Sequence, residues 1–96
     1  MLETTKTIVL NTPIESNDGK VRYEQIDLKE PVLIQVEQFY EASKKANPLA
    51  ATRLLISLVS GIPESVLKKM AISDFHQCQE FLESFLDTES SRSGSN

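Results

Sequence analysis

The sequence predicts an α+β domain: an N-terminal β-hairpin followed by a small bundle of about four helices, ending in a Ser-rich tail without fixed structure. Three observations predict it. "TKTIVLNTPI" and "VRYEQIDL" are rich in β-branched and apolar residues and flank the turn cluster "ESNDGK". In "QIDLKEPVLIQVEQF" the rhythm changes at Pro31, from alternation at Ile26 and Leu28 to helical spacing at Val32, Val36 and Phe39. Beyond that point, Asn47-Pro48 and Gly61-Ile62-Pro63 divide the remaining apolar stripes into separate helices.

The first strand is expected from about Thr5 to Asn11. Asp18-Gly19 then supplies the positive-φ position that a hairpin turn favours. The return strand changes phase, with Val21 and Tyr23 on one parity and Ile26 and Leu28 on the other. A bulge near Glu24-Gln25, or a strand twisting between two neighbours, accounts for the change, and the bulge is the expectation. A lone hairpin is marginal in water, so this one must pack on the helices or pair with another chain.

Pro31 suits the first position of a helix, where its missing N–H costs nothing, and this first helix should run to about Ala46. Val32, Val36, Phe39 and Tyr40 form its apolar face with Leu33 flanking, and Lys44 and Lys45 complement its C-terminal end. Asn47-Pro48 caps the second helix and Gly61 ends it. Its wide face of Ala51, Leu54, Leu55, Leu58 and Val59 predicts the most buried element. Pro63 opens a short third helix with Val66, Leu67 and Met70 inward. Ser73 is the expected cap of the fourth, where Phe75, Cys78, Leu82 and Phe85 form a stripe widened by Phe81 and Leu86. The organisation is one domain, with the hairpin over 1–29, the helical region over 30–87 and the tail over 88–96.

Ninety-six residues make one domain, and at this size roughly 60–65% of the unfolded surface is buried. The net charge of −4 weighs against nucleic acid as a partner. Cys78 is the only cysteine, which excludes an internal disulfide and fits a reducing compartment. No apolar run approaches the ~20 residues of a membrane span, so a soluble, cytoplasmic protein is expected.

Few residues point to chemistry. His76 and Cys78 are two apart, on different helical faces, and no second histidine completes a zinc site. They read as a surface imidazole and a buried thiol. Asp74, Glu80, Glu83 and Asp87 read as the solvated side of the last helix rather than a catalytic carboxylate pair. The three glycines form no phosphate loop. No catalytic residue, metal or cofactor is expected. "LLISLVSGIPESVLKKM" has the outline of a helix-turn-helix around Gly61, which keeps a small DNA-binding regulator as an alternative. Glu64 and Ser65 nevertheless stand where a recognition helix would present basic or amide side chains. The aromatic stripe of the last helix is core in the ordinary case. Four helices and a hairpin also offer more apolar faces than one small core can bury, and the surplus would meet another copy or a partner helix.

Taken in order, the pieces resemble the small tail assembly chaperones of tailed phages and prophages, in the branch typified by Mu-like phages. Leu10-Asn11-Thr12-Pro13 and Asp27-Leu28-Lys29-Glu30-Pro31 match the family's strand end and its segment opening the first helix. Gly61, Ile62, Val66, Ser73, Asp74, Phe75, Phe81 and Leu82 match the pattern of its second half. Lys29 stands where arginine is common and Met70 where leucine is usual. The resemblance spans residues 5 to 87 and implies a non-enzymatic role. Such proteins bind the tape-measure protein and keep it soluble in the host cytoplasm until tail-tube subunits polymerise round it, and they are absent from the mature virion. Many families of this kind also make a longer form by frameshifting. An unsupported hairpin edge pairing with that of another copy is the expected route to a homo-oligomer. A structural tail component is the other alternative. Periodicity offers Phe39, Tyr40, Phe81 and Phe85 as partner-binding aromatics.

Overall fold

A computed structural model describes residues 4–95, with side chains over 4–86; the side chains of the tail at 88–96, expected without fixed structure, lie outside the described residues. The elements follow the predicted order: β1 (Thr5–Glu15), β2 (Arg22–Lys29), α1 (Leu33–Lys45), α2 (Pro48–Ser60), α3 (Glu64–Leu67) and α4 (Ile72–Ser95).

β1 and β2 form one antiparallel two-stranded sheet. In the turn, Gly19 has φ 74°, and the Asp18 carboxylate accepts hydrogen bonds from the Ser16 hydroxyl at 2.6 Å and the Lys20 N–H at 3.0 Å. Those two donors hold the Asp18 carboxyl below its usual range. The sheet is irregular at the expected height, but the surplus lies on the other strand. Val9 pairs with Gln25 and Ile14 with Tyr23, so Leu10–Pro13 stand opposite Glu24 alone. Three extra residues are an odd number, which is why β2 changes parity while Ile8, Leu10 and Ile14 keep theirs. β1 therefore runs on to Glu15 instead of ending at Asn11, and Pro13 sits inside the irregularity, where a residue without an N–H is tolerated.

α1 begins two residues later than Pro31 suggests. Val32 is the cap, and its N–H donates to Gln35 Oε1 at 2.9 Å, while the buried Pro31 precedes it. α2 starts and stops as read: Asn47 Oδ1 accepts the Ala50 N–H at 2.8 Å, Pro48 opens the helix, and Gly61 closes it at φ 80°. Pro63 is the cap of α3 rather than its first residue. Ser73 does not cap α4, because the Phe75 N–H already bonds to the Ala71 carbonyl and places Ser73 inside the first turn.

The hairpin lies on its own helices. Ile8, Leu10, Ile14, Ile26 and Leu28 share one core with Leu55, Ile56 and Val59 of α2, Ile62, Val66 and Leu67 around α3, and Phe75, Cys78 and Leu82 of α4. α2 is the central element, with none of residues 51–60 fully exposed. Within it Ile56 and Thr52 are buried, while Leu54 and Leu58 are only partly covered. Thr52 is tolerated there because its hydroxyl donates to the Pro48 carbonyl at 3.0 Å.

Candidate partner-binding surface

One buried charge fixes how α4 meets the hairpin. Asp74 was expected on the solvent side of the last helix; it is fully buried instead. Its Oδ1 accepts the Asn11 N–H at 2.9 Å and its Oδ2 the Thr12 N–H at 3.1 Å. These two amides lie in the stretch of β1 that has no regular partner on β2. A carboxylate bonded by two backbone amides is a satisfied charge, and the first turn of a helix favours it further. Thus the motif Leu-Asn-Thr-Pro in β1 and the motif Ser-Asp-Phe in α4 are two halves of one joint. Helical spacing held a signal, since Asp74 lies four residues before Cys78 and eight before Leu82 on the buried stripe, but only the fold brings it to the irregular strand.

Next to this joint, one turn further along α4, Cys78 is buried and its thiol is pushed up to about 12 by desolvation and then by the Asp74 charge. His76 is exposed, so the pair divides between surface and core as its spacing predicts. Among the described residues no cluster of His, Cys, Asp and Glu could hold a metal ion, and no helix is long and apolar enough to cross a membrane.

The four aromatics named from periodicity form two separate pairs. Phe39 and Tyr40 on α1 meet edge to face with centroids 5.3 Å apart; Phe39 is half-buried against the core and Tyr40 is exposed. Phe81 and Phe85 on α4 meet edge to face at 5.2 Å, both half-buried. The structure brings members together within each helix and does not gather all four into one site.

Other apolar residues are more open. α1 packs chiefly on α2 through a face of Val36, Phe39 and Ala42, and none of its residues is fully buried. Val32, Leu33 and Ile34 are exposed at its start, Leu33 to 74%. At the other end of α2, exposed Leu49 and Ile72 edge a groove of about 190 Å³ over Leu67, Met70 and Phe75, with Arg53 and Lys68 on its wall. Helical spacing sets Leu33 at the flank of the apolar face of α1, and the predicted stripes leave out Ile34, Leu49 and Ile72. An uninterrupted apolar triplet at 32–34, wider than one helical stripe, was the available signal.

The corner at Gly61 is a structural turn. The Ser57 hydroxyl donates to the Ile62 carbonyl at 2.6 Å, and the Ile62 N–H reaches the Ser60 hydroxyl at 3.2 Å. α3 is a single turn whose first side chains are engaged within the protein: Glu64 pairs with Arg53 at 3.1 Å, and Ser65 accepts from Asn17 Nδ2 at 2.8 Å. This geometry does not favour the DNA-binding alternative.

Residues 7–87 match the family model described as "Phage tail assembly chaperone proteins, E, or 41 or 14". No curated protein and no solved structure matches the chain. The matched span includes both halves of the Asp74 joint and the whole run from the hairpin through most of α4 up to Asp87. The chain belongs to the phage tail assembly chaperones.

Proposed function

We propose that this protein binds the tape-measure protein in the host cytoplasm and keeps it soluble until the tail tube assembles, acting by stoichiometric shielding without catalysis. The observation that carries the reading is an acidic chain of the chaperone family that leaves Val32, Leu33, Ile34, Tyr40, Leu49 and Ile72 open to solvent. A long helical client with apolar stripes would aggregate alone. Apolar contacts cover its stripes, and the net negative charge of the chaperone keeps the complex dispersed. Phe39, Tyr40, Phe81 and Phe85 are the proposed client contacts, Tyr40 by its open ring and the others by their half-open edges. On this reading the protein leaves before the virion matures, and a frameshifted longer form would add a second function to the same domain.

Co-expression with the tape-measure protein of the same phage or prophage tests the proposal. The client is expected to stay soluble and to co-purify, and Tyr40→Ala with Phe85→Ala to lower the recovered client without unfolding the chaperone. A client that is equally soluble with and without this partner contradicts the proposal. Recovery of this chain from purified particles would favour a structural tail component.

A further inference from the structure

We propose that the groove edged by Leu49 and Ile72 docks an acidic helical segment of the client, one that carries a large aliphatic side chain with a carboxylate one turn away. This inference rests on the client-binding reading and deepens it, giving one stretch of the client a place and a chemistry.

The shape of the groove supports this. Leu49 and Ile72 stand on its lips at 58% and 59% exposure, whereas Leu67 and Phe75 beneath them are buried in the core. The floor is held by the fold, and only the lips are open. At about 190 Å³ the groove falls below the roughly 300–1,000 Å³ of small-molecule and cofactor pockets. It suits side chains projecting from a helix.

Charge narrows the occupant. Arg53 and Lys68 stand on the wall, and no carboxylate lines the groove among the described residues. Arg53 shares its charge with Glu64, while the exposed Lys68 has no ion pair among the described residues. Every lining residue comes from the stretch 42–79, which holds Lys44, Lys45, Arg53, Lys68 and Lys69 against two carboxylates. Both of these are engaged within the protein, Glu64 on Arg53 and Asp74 on the Asn11 and Thr12 amides. The other twelve carboxylates of the chain lie outside the stretch. A chain of net charge −4 thus carries an apolar groove of the opposite sign, which draws an acidic helix and repels a basic one.

An aliphatic side chain of the client enters between Leu49 and Ile72 over Met70, and a carboxylate one turn along the same helix face reaches Lys68. The contact is one of side chains, and the hydrogen bonds within α2 stay as they are.

Two synthetic helical peptides with the same leucine seam, one flanked by glutamates and the other by lysines, are the probes. Fluorescence anisotropy reads their binding to the full chain, and circular dichroism establishes that each variant keeps its fold. The wild type should bind the glutamate peptide about fivefold more tightly than the lysine peptide, against the sign of its net charge. Lys68→Glu should reverse that preference, and Leu49→Ser with Ile72→Ser should weaken binding of the glutamate peptide. On co-expression, the chain with both serines should recover less client than the wild type does. A wild type that prefers the lysine peptide or binds neither, or a Lys68→Glu chain with the wild-type preference, would overturn the proposal. Undiminished client recovery by the double-serine chain would also overturn it and leave the client-binding reading standing. If that chain has lost mass in sedimentation as well, the groove belongs to a second copy. A wild type that recovers no client removes the client-binding reading itself, and the proposal with it.

Discussion

α1 and α2 are neighbouring helices of equal length, and they use their apolar residues in opposite ways. α2 sits between the hairpin, α3 and α4 and buries Ala51, Thr52, Leu55, Ile56 and Val59. α1 touches α2 along one side and has no fully buried residue, while Val32, Leu33 and Ile34 stand open at its start. The difference teaches that stability and recognition are divided between elements. The hairpin, α2 and α4 form the body that holds the fold, and α1 is carried on it as a surface.

Breaking the body should have the largest effects. Leu55→Ala removes a fully buried side chain at the centre of α2 and should cost about 2–5 kcal/mol in chemical denaturation. Asp74→Ala leaves the Asn11 and Thr12 amides without their acceptor and should cost about 2–4 kcal/mol. Gly61→Ala puts a Cβ on a residue at φ 80°, where nothing crowds it, so the backbone alone sets a loss of about 1–2 kcal/mol. On the α1 side, Leu33→Ala should move the stability of the chain by less than about 0.5 kcal/mol. A loss at Leu33 comparable to that at Leu55 would erase the distinction between the two helices.

The pH dependence sharpens the same comparison. The folded Cys78 thiol stays protonated to about 12, whereas its ordinary value is 9.0. Between those values the folded state holds a proton that the unfolded chain has lost, so stability falls as pH rises from 9 towards 12. Below 9 the thiol is neutral in both states and contributes no slope. Cys78→Ser should flatten this alkaline decline, and thiol reagents should label native Cys78 no faster than the protein opens.

Much of the body was legible in the sequence because its signals are local. Asp18-Gly19, Asn47-Pro48 and Gly61 each act within a few residues, and each does in the fold what its chemistry predicts. The parity change in β2 was also legible, but its cause lies in three extra residues on β1, and register is a relation between strands that neither strand carries alone. Asp74 is misplaced because its charge outweighs its spacing from buried Cys78 and Leu82, and the amides that satisfy that charge lie more than sixty residues away. The aromatic residues of α1 and α4 were found by period, yet period does not tell a half-covered ring from a covered one. Leu33 and Ile34 show the opposite limit: their types suit a core, and only the position of α2 leaves them outside it.

Hydrogen exchange of this chain in complex with the tape-measure protein, compared with the free chain at equal concentration, tests the division most directly. The account predicts added protection along α1 and around Phe81 and Phe85, with the amides of β1, β2 and α2 unchanged. Protection gained on the outer face of the hairpin instead, with α1 exchanging as it does in the free chain, would contradict it.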